Sequence, residues 1–249
     1  MPANIASPMV YTCELHSAVH THLMANGKAG LQVVHLDAHC DMKGLVVDPE
    51  SSLSWLPSPR PPLSTSTFLG LLVAKGIVSH VVWVHDEVGG RHNDLGTVRL
   101  RSELEGLPRW MRPALPEPGT QTRFEEQDFL SWVFDDGEAV LDVDWDFFAD
   151  PRKSSARTAR EVDHFFSHSL RALPNVAYVA YSPFYSQPDR EGYSRFVTRL
   201  AQRMDAHVVP LAEDPHRMRE TLARQIPLPV RRLLRRGALA LKRLGQRKT

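Results

Sequence analysis

Apolar and polar positions along this chain alternate with two different periods, and the changes of period lay out an order of elements. Pro8-Met-Val-Tyr-Thr-Cys13 is a short β-like run, and Ser17 to Ala25 has helical spacing that ends at Asn26-Gly27, a suitable C-cap. Leu31 to Asp37 is nearly all apolar, as a parallel strand buried on both faces should be. Phe68 to Lys75 predicts a helix stopped by Gly76, and Ile77 to Val84 a β-branched strand. Phe124 to Phe134 reads as an amphipathic helix and Ala139 to Asp144 as a further strand. A helix over Thr158 to Ala172, a strand over Val176 to Tyr181 and a helix over Glu191 to Met204 follow. Val46 to Ser66, with Pro57, Pro59, Pro61 and Pro62, reads as a long loop, and 86–122 is irregular. Strand and helix alternate without an internal repeat. The expected fold is α/β, a three-layer sandwich with a mostly parallel sheet, and such sheets bind ligands beyond the carboxyl ends of their strands.

Two apolar runs end in acidic clusters. The first reads Val33-Val-His-Leu-Asp-Ala-His-Cys-Asp41, and in extended backbone Asp37, His39 and Asp41 project to the same side. Carboxylates mixed with imidazole suit a hard or borderline divalent metal. The second, Val140-Leu-Asp-Val-Asp-Trp-Asp-Phe-Phe148, repeats the design with Asp142, Asp144 and Asp146. A strand-end Asp also caps turns, so one such string would carry little weight. Two at strand ends predict a two-metal hydrolase.

Composition narrows the classes. With 249 residues, 42% hydrophobic and 24% charged, the chain is long enough for one large domain, expected over 1–228. A formal net charge of +1 gives no whole-chain case for nucleic acid. The N-terminus lacks a secretory signal pattern, and no apolar run is long enough to span a bilayer. Cys13 and Cys40 make no disulfide framework and suit a reducing cytoplasm; Cys40, turned away from the ligands by alternation, reads as a small buried hydrophobe.

These motifs resemble the ureohydrolase superfamily of arginases, agmatinases and, more distantly, metal-dependent deacetylases. Asp37-Ala-His39-Cys-Asp41 matches that family's Asp-x-His-x-Asp, and Glu14-Leu-His16-Ser17 stands at its upstream histidine turn. The Asp144-Trp-Asp146-Phe-Phe148 string is similar to a smaller arginase-like family that includes peptide arginases, which convert arginine in ribosomally made peptides to ornithine. The resemblance spans roughly Tyr11 to Pro183. It implies two Mn²⁺ ions held by His16, Asp37, His39, Asp41 and the second cluster, with Asp41 also orienting a metal-bridging hydroxide that releases urea. One register makes Asp144 the bridging ligand and Asp146 the second, leaving Asp142 to orient its neighbours; the other uses Asp142 and Asp144.

The substrate side departs from the family. Arginase carries a shuttle histidine soon after its first motif, and no histidine lies between His39 and His80 here. His85 is a candidate shuttle or an ordinary strand-end histidine. Asp86 and Glu87 are candidate partners for a guanidinium, which is permanently charged. Ser182-Pro-Phe-Tyr185, with Tyr185 a substrate contact, is placed on the same rim. His164 and His168, four apart, form either a metal pair or a solvated helix face. The segment 229–249 is a basic amphipathic tail whose last twenty residues carry eight Lys or Arg and no acid. It either docks as a solvated helix or attracts an acidic partner such as a leader peptide or an anionic membrane. Three functions stay open: a peptide arginase, a small-molecule ureohydrolase or deacetylase-type amidohydrolase, and a metal-binding protein without catalysis.

Overall fold

The apolar runs become the inner strands of one parallel sheet. The computed structural model describes residues 7–26, 28–42, 63–86, 122–183 and 185–212, and the backbone alone of 45–47, 53–55 and 99–100. The basic tail and Glu87 therefore lie outside the described residues. In chain order the elements are β1 (Met9–Cys13), α1 (Ser17–Asn26), β2 (Leu31–Leu36), β3 (Leu45–Val47), β4 (Leu53–Trp55), α2 (Phe68–Ala74), β5 (Val78–His85) and β6 (Arg99–Leu100). They continue with β7 (Arg123–Asp128), β8 (Val140–Asp144), α3 (Trp145–Ala149), α4 (Ser155–His164), β9 (Val176–Ala180), α5 (Arg190–Met204) and β10 (His207–Pro210). The seven-stranded sheet has the order β10-β1-β9-β8-β2-β5-β7, and all six pairings are parallel.

Strand alternation splits the core between the two faces. Val33, Val81, Trp83 and Val140 pack with residues of α1 and α2, while Val34, Leu36, Val82, Val84, Leu141 and Val143 pack with α3 and α5. The second face is aromatic: Trp145, Phe147, Phe148, Phe165 and Phe196 are all fully buried there. No helix among the described residues is long and apolar enough to cross a membrane.

Four local expectations are corrected. Residues 123–128 form the edge strand β7 rather than the start of an amphipathic helix, because pairing with β5 overrides the helical propensity of Glu125 and Glu126. The Pro-rich stretch expected as loop holds β3 and β4, which pair antiparallel, and a 3₁₀ turn at Thr65–Thr67; β6, from the irregular stretch, adds to that small sheet. The helix expected to run to Ala172 ends at His164 and passes into a π-helical turn, Phe165–Ser169. At the opposite edge β10 adds a strand that was not anticipated, with Pro210 tolerated because an edge strand needs fewer donors.

The topology positions the site. From β2 the chain moves outward to β5 and β7, whereas from β8 it moves the other way to β9. β2 and β8 are adjacent, so the crevice beyond their carboxyl ends is the switch point where ligands bind in such sheets. Both acidic clusters leave the sheet there.

Candidate metal centre

Alternation places His35 and Asp37 of the β2 run, and Asp142 and Asp144 of β8, on the face covered by α1 and α2. Register puts His35 opposite Asp142. Past each strand the leading Asp organises its own turn: Asp37 Oδ1 accepts from His39 N at 2.7 Å, and Asp144 Oδ1 accepts from Asp146 N at 3.1 Å. Asp144 is thereby the N-cap of α3, and Asp146 sits in its first turn, where a carboxylate is favoured. The capping role expected of such residues is real, but it uses one oxygen of each carboxylate and leaves the other.

His16 lies in the turn after β1 and is fully buried. Its Nδ1 stands 3.3 Å from Asp37 Oδ2, 3.4 Å from Asp41 Oδ2 and 3.2 Å from Asp144 Oδ2. His39 Nδ1 stands 3.1 Å from Asp146 Oδ2 and 3.6 Å from Asp37 Oδ1. Asp37 therefore turns one oxygen to each histidine. Two cation-sized groups result, His16–Asp37–Asp144 and Asp37–His39–Asp146, and His35–Asp37–Asp41 forms a third around the same carboxylate. Asp142 belongs to none of them: it lies on the far side of His16, with Oδ1 at 3.4 Å from Nε2.

The donor set fits metal. Three carboxylate oxygens converge on one imidazole nitrogen, which can satisfy no more than one of them as a donor. His16 Nδ1 and Nε2, Asp37 Oδ2, Asp142 Oδ1 and Asp146 Oδ1 are buried without a hydrogen-bond partner among the described residues, and orphaned buried polar atoms call for an explanation such as an ion. Five carboxylates (Asp37, Asp41, Asp142, Asp144, Asp146) meet three imidazoles (His16, His35, His39), and no lysine or arginine among the described residues bridges to any of the five.

Protonation follows from that imbalance. Burial, then the Asp37 charge, pushes Asp41 up to about 7. Burial and Asp37 likewise raise Asp146 to about 6, and burial with the Asp146 charge holds Asp144 well above the usual carboxylate range. Protons thus take the place that cations would fill. Asp142 moves the other way, to about 2: burial opposes this, but the charge of His16 and the hydrogen bond from His35 outweigh it. Burial also works against a charged His16 and His39, yet their carboxylate neighbours hold both well above the ordinary histidine value.

His35 is the residue that sequence reasoning missed. Its Nδ1–H donates to Asp142 Oδ2 at 2.7 Å and its Nε2–H to the His39 carbonyl at 3.1 Å, with Asp37 Oδ2 at 3.2 Å. Burial disfavours its charge, but Asp37 and Asp142 raise it to about 10. The signal was present, since His35 precedes Asp37 by the same two-residue step that links Asp37, His39 and Asp41.

A cavity of about 50 Å³ opens on the cluster, lined by His39, Asp41, Thr65, Ser66, Asp144, Asp146 and Tyr185. Thr65 and Ser66 come from the 3₁₀ turn before α2. Phe68, the first residue of α2, sets its ring tilted to His16 and edge-on to His35, with centroids 4.9 and 5.8 Å away. Tyr185 meets His39 edge-on at 5.6 Å. Ser182, of the expected rim, donates to Asp144 Oδ2 at 2.6 Å and is held at φ 48°; Asp41 has φ 51°. Two non-glycine residues in the left-handed region within one site mark backbone strain held in place by the surroundings.

Other expected site residues stand apart from the cluster. His85 ends β5 with its ring on Trp83, centroids 4.7 Å apart. Asp86 is buried against Lys153 and lies 3.4 Å from Arg157, so its carboxylate faces this chain's own cations. His164 and His168 stack on each other at 4.9 Å and join no metal-sized group. Cys13 and Cys40 are both buried.

No family model matches the chain, and no curated protein matches it. Among solved structures, the chain is similar to a hypothetical agmatinase from Burkholderia thailandensis, with 18% identity over 80% of this chain and 60% of that one, at a TM-score of 0.40. It is also similar to a quadruple mutant of a T. brucei arginase-like protein, with 16% identity over 78% of this chain and 58% of that one, at a TM-score of 0.36. The chain spans about 60% of the length of these structures. Both likenesses are distant, and neither bears on which reaction the cluster serves.

Proposed function

We propose that this chain is a manganese-dependent hydrolase that converts arginine side chains within a peptide to ornithine plus urea. The observation that carries the reading is the Asp37 carboxylate, whose two oxygens face two different histidine-containing groups in a buried cluster of excess acid. His16, Asp37, Asp41 and Asp144 would hold one cation, and Asp37, His39, Asp144 and Asp146 the other. A carboxylate-rich set with one imidazole per ion suits manganese better than zinc. Two such cations would supply a water acidic enough to give hydroxide at neutral pH.

The chain's own residues would do the rest. Asp41 lines the cavity and faces His16 with one oxygen, which leaves the other to take a proton from the attacking water. Ser182 holds Asp144 by one oxygen and so limits how that carboxylate can turn. Tyr185 and His39 form the cavity wall against which a flat guanidinium would lie. In this reading His85 passes a proton to the leaving amine once its ring leaves Trp83, and Asp86 with the neighbouring Glu87 receives the guanidinium once Asp86 exchanges Lys153 or Arg157 for substrate.

That last requirement favours a second reading. The described residues lining the cavity bring no carboxylate beyond the cluster's own. An amidohydrolase acting on an acylated amine needs no partner for a positive charge. One experiment separates the readings: urea and amine release, with product mass, from an arginine-containing peptide, free arginine, agmatine and an N-acylated amine at matched concentration with manganese. Loss of a CN₂H₂ unit per arginine from the peptide is expected. Faster turnover of free arginine or agmatine would overturn the peptide assignment, and turnover of the acylated amine alone would establish the second reading.

A further inference from the structure

We propose that His35 is a positioning residue for both halves of the metal centre. It fixes the His16 ligand through Asp142 and holds the Asp37–His39 turn directly. The inference rests on the two-cation reading above. His35 itself does not line the cavity, and its fully buried ring packs edge-on against Phe68. It therefore acts on the site through other residues.

The first arm runs from Nδ1. Nδ1–H donates to Asp142 Oδ2 at 2.7 Å, and the other oxygen of the same carboxylate stands 3.4 Å from His16 Nε2. A carboxylate behind a histidine keeps the proton on the near nitrogen and leaves the far one as a lone pair. Here the far nitrogen is His16 Nδ1, which faces Asp37, Asp41 and Asp144. Asp142 is held in this pose from behind by His35, and the parallel register of β2 on β8 sets the two residues opposite each other.

The second arm runs from Nε2. Nε2–H donates to the His39 carbonyl at 3.1 Å, and Asp37 Oδ2 lies 3.2 Å away. This pins the backbone of the turn that carries His39 and sets the ring against one oxygen of the shared carboxylate. A single rigid ring thus ties together the ligand of one group, the ligand of the other and the residue they share. An imidazole offers two donors on opposite edges of one rigid plane.

The two arms can be cut separately. An asparagine amide reaches roughly where Nδ1 lies and a glutamine amide roughly where Nε2 lies, so His35→Asn keeps the Asp142 arm and His35→Gln the Asp37–His39 arm. His35→Phe removes both. The full chain, freed of metal, would be titrated with Mn²⁺ alone by calorimetry, and urea unfolding of each metal-free variant measured alongside. The wild-type chain should bind two ions. His35→Phe should weaken binding about 10–100-fold, the usual loss when the group behind a ligand is removed, while Asn and Gln should each weaken a different one of the two binding steps. Should the Phe variant not fold, the Asn and Gln variants decide. A purely structural role would lower metal-free stability and leave affinity unchanged in the folded variants. Two ions bound with unchanged affinity in those variants would overturn this inference alone. No manganese bound by the wild-type chain would overturn the two-cation reading and this inference with it.

Discussion

Two buried charged networks sit beyond the carboxyl ends of this sheet, and they are built on opposite principles. The first joins Asp86 at the end of β5 to Lys153, Glu161 and Arg157. Lys153 Nζ pairs with Asp86 and, at 2.7 Å, with Glu161; Arg157 Nε pairs with Glu161 at 2.6 Å. Two carboxylates meet two cations, and Lys153 also donates to the Phe147 carbonyl and packs over the Phe147 ring. The second network, around Asp37, has acid in excess and orphaned atoms. A balanced buried network fastens one element to another. An unbalanced one is costly unless something else binds, so the imbalance marks the place where a ligand is expected.

If that contrast is right, the two networks respond to mutation in opposite ways. The largest effect is on the unbalanced side. Asp144→Ala or His39→Ala should reduce bound manganese and hydrolysis to background, because each removes a proposed partner of the cations; Asp144→Ala should also lower metal-free stability, since it removes the N-cap of α3 and the acceptor of Ser182. Elemental analysis and urea unfolding check this together. Two ions per chain surviving both substitutions would end the reading. On the balanced side Lys153→Met should destabilise the protein by about 3–5 kcal/mol, because Arg157 alone is left to pair two buried carboxylates. Its manganese stoichiometry should not change.

Acidity sharpens the contrast further. Asp41 and Asp146 are raised to about 7 and about 6 in the fold, whereas an unfolded aspartate titrates near ~3.9. Between those values the folded state binds more protons, so metal-free stability should fall as pH rises from about 4 to about 7. The gain in melting temperature on adding manganese should grow over the same window, since cations displace those protons. Thermal melts at pH 5 and pH 8, with and without manganese, test both signs; a manganese effect equal at the two values would count against the assignment. The smallest effect is at Ser182. Losing its hydroxyl bond to a buried carboxyl in Ser182→Ala should cost about 1.5–3 kcal/mol, and Ser182→Gly should cost less because glycine accepts φ 48° without strain. Equal losses in urea unfolding would show that the strain is immaterial.

How much of this was legible in the sequence depended on whether the information was local. Asp37, His39 and Asp41 announced themselves because a period of two is written in consecutive residues, and the apolar run before them identified the strand end. Asp142, Asp144 and Asp146 were legible for the same reason, but their division of labour was not. Which of them lies behind His16 is set by the register of β8 on β2, a contact between residues more than a hundred positions apart. His35 was hidden inside an apolar run, where a buried histidine looks like part of the strand. Asp86 was legible as a strand-end acid and illegible as an ion-pair partner, since Lys153 and Arg157 reach it only through the fold. β7 misled for a related reason: Arg123 to Asp128 carries one buried apolar residue, Phe124, and becomes a strand by pairing with β5.

The Asp37 cluster is proposed as a two-cation site with that carboxylate shared. The most direct test is a crystal of the full chain grown with manganese and measured at the manganese absorption edge. Two anomalous peaks about 3.5–4 Å apart are expected, one against His16 and Asp41, the other against His39 and Asp146, with Asp37 between them. A single peak, or manganese bound elsewhere while the cluster stays empty, would contradict it.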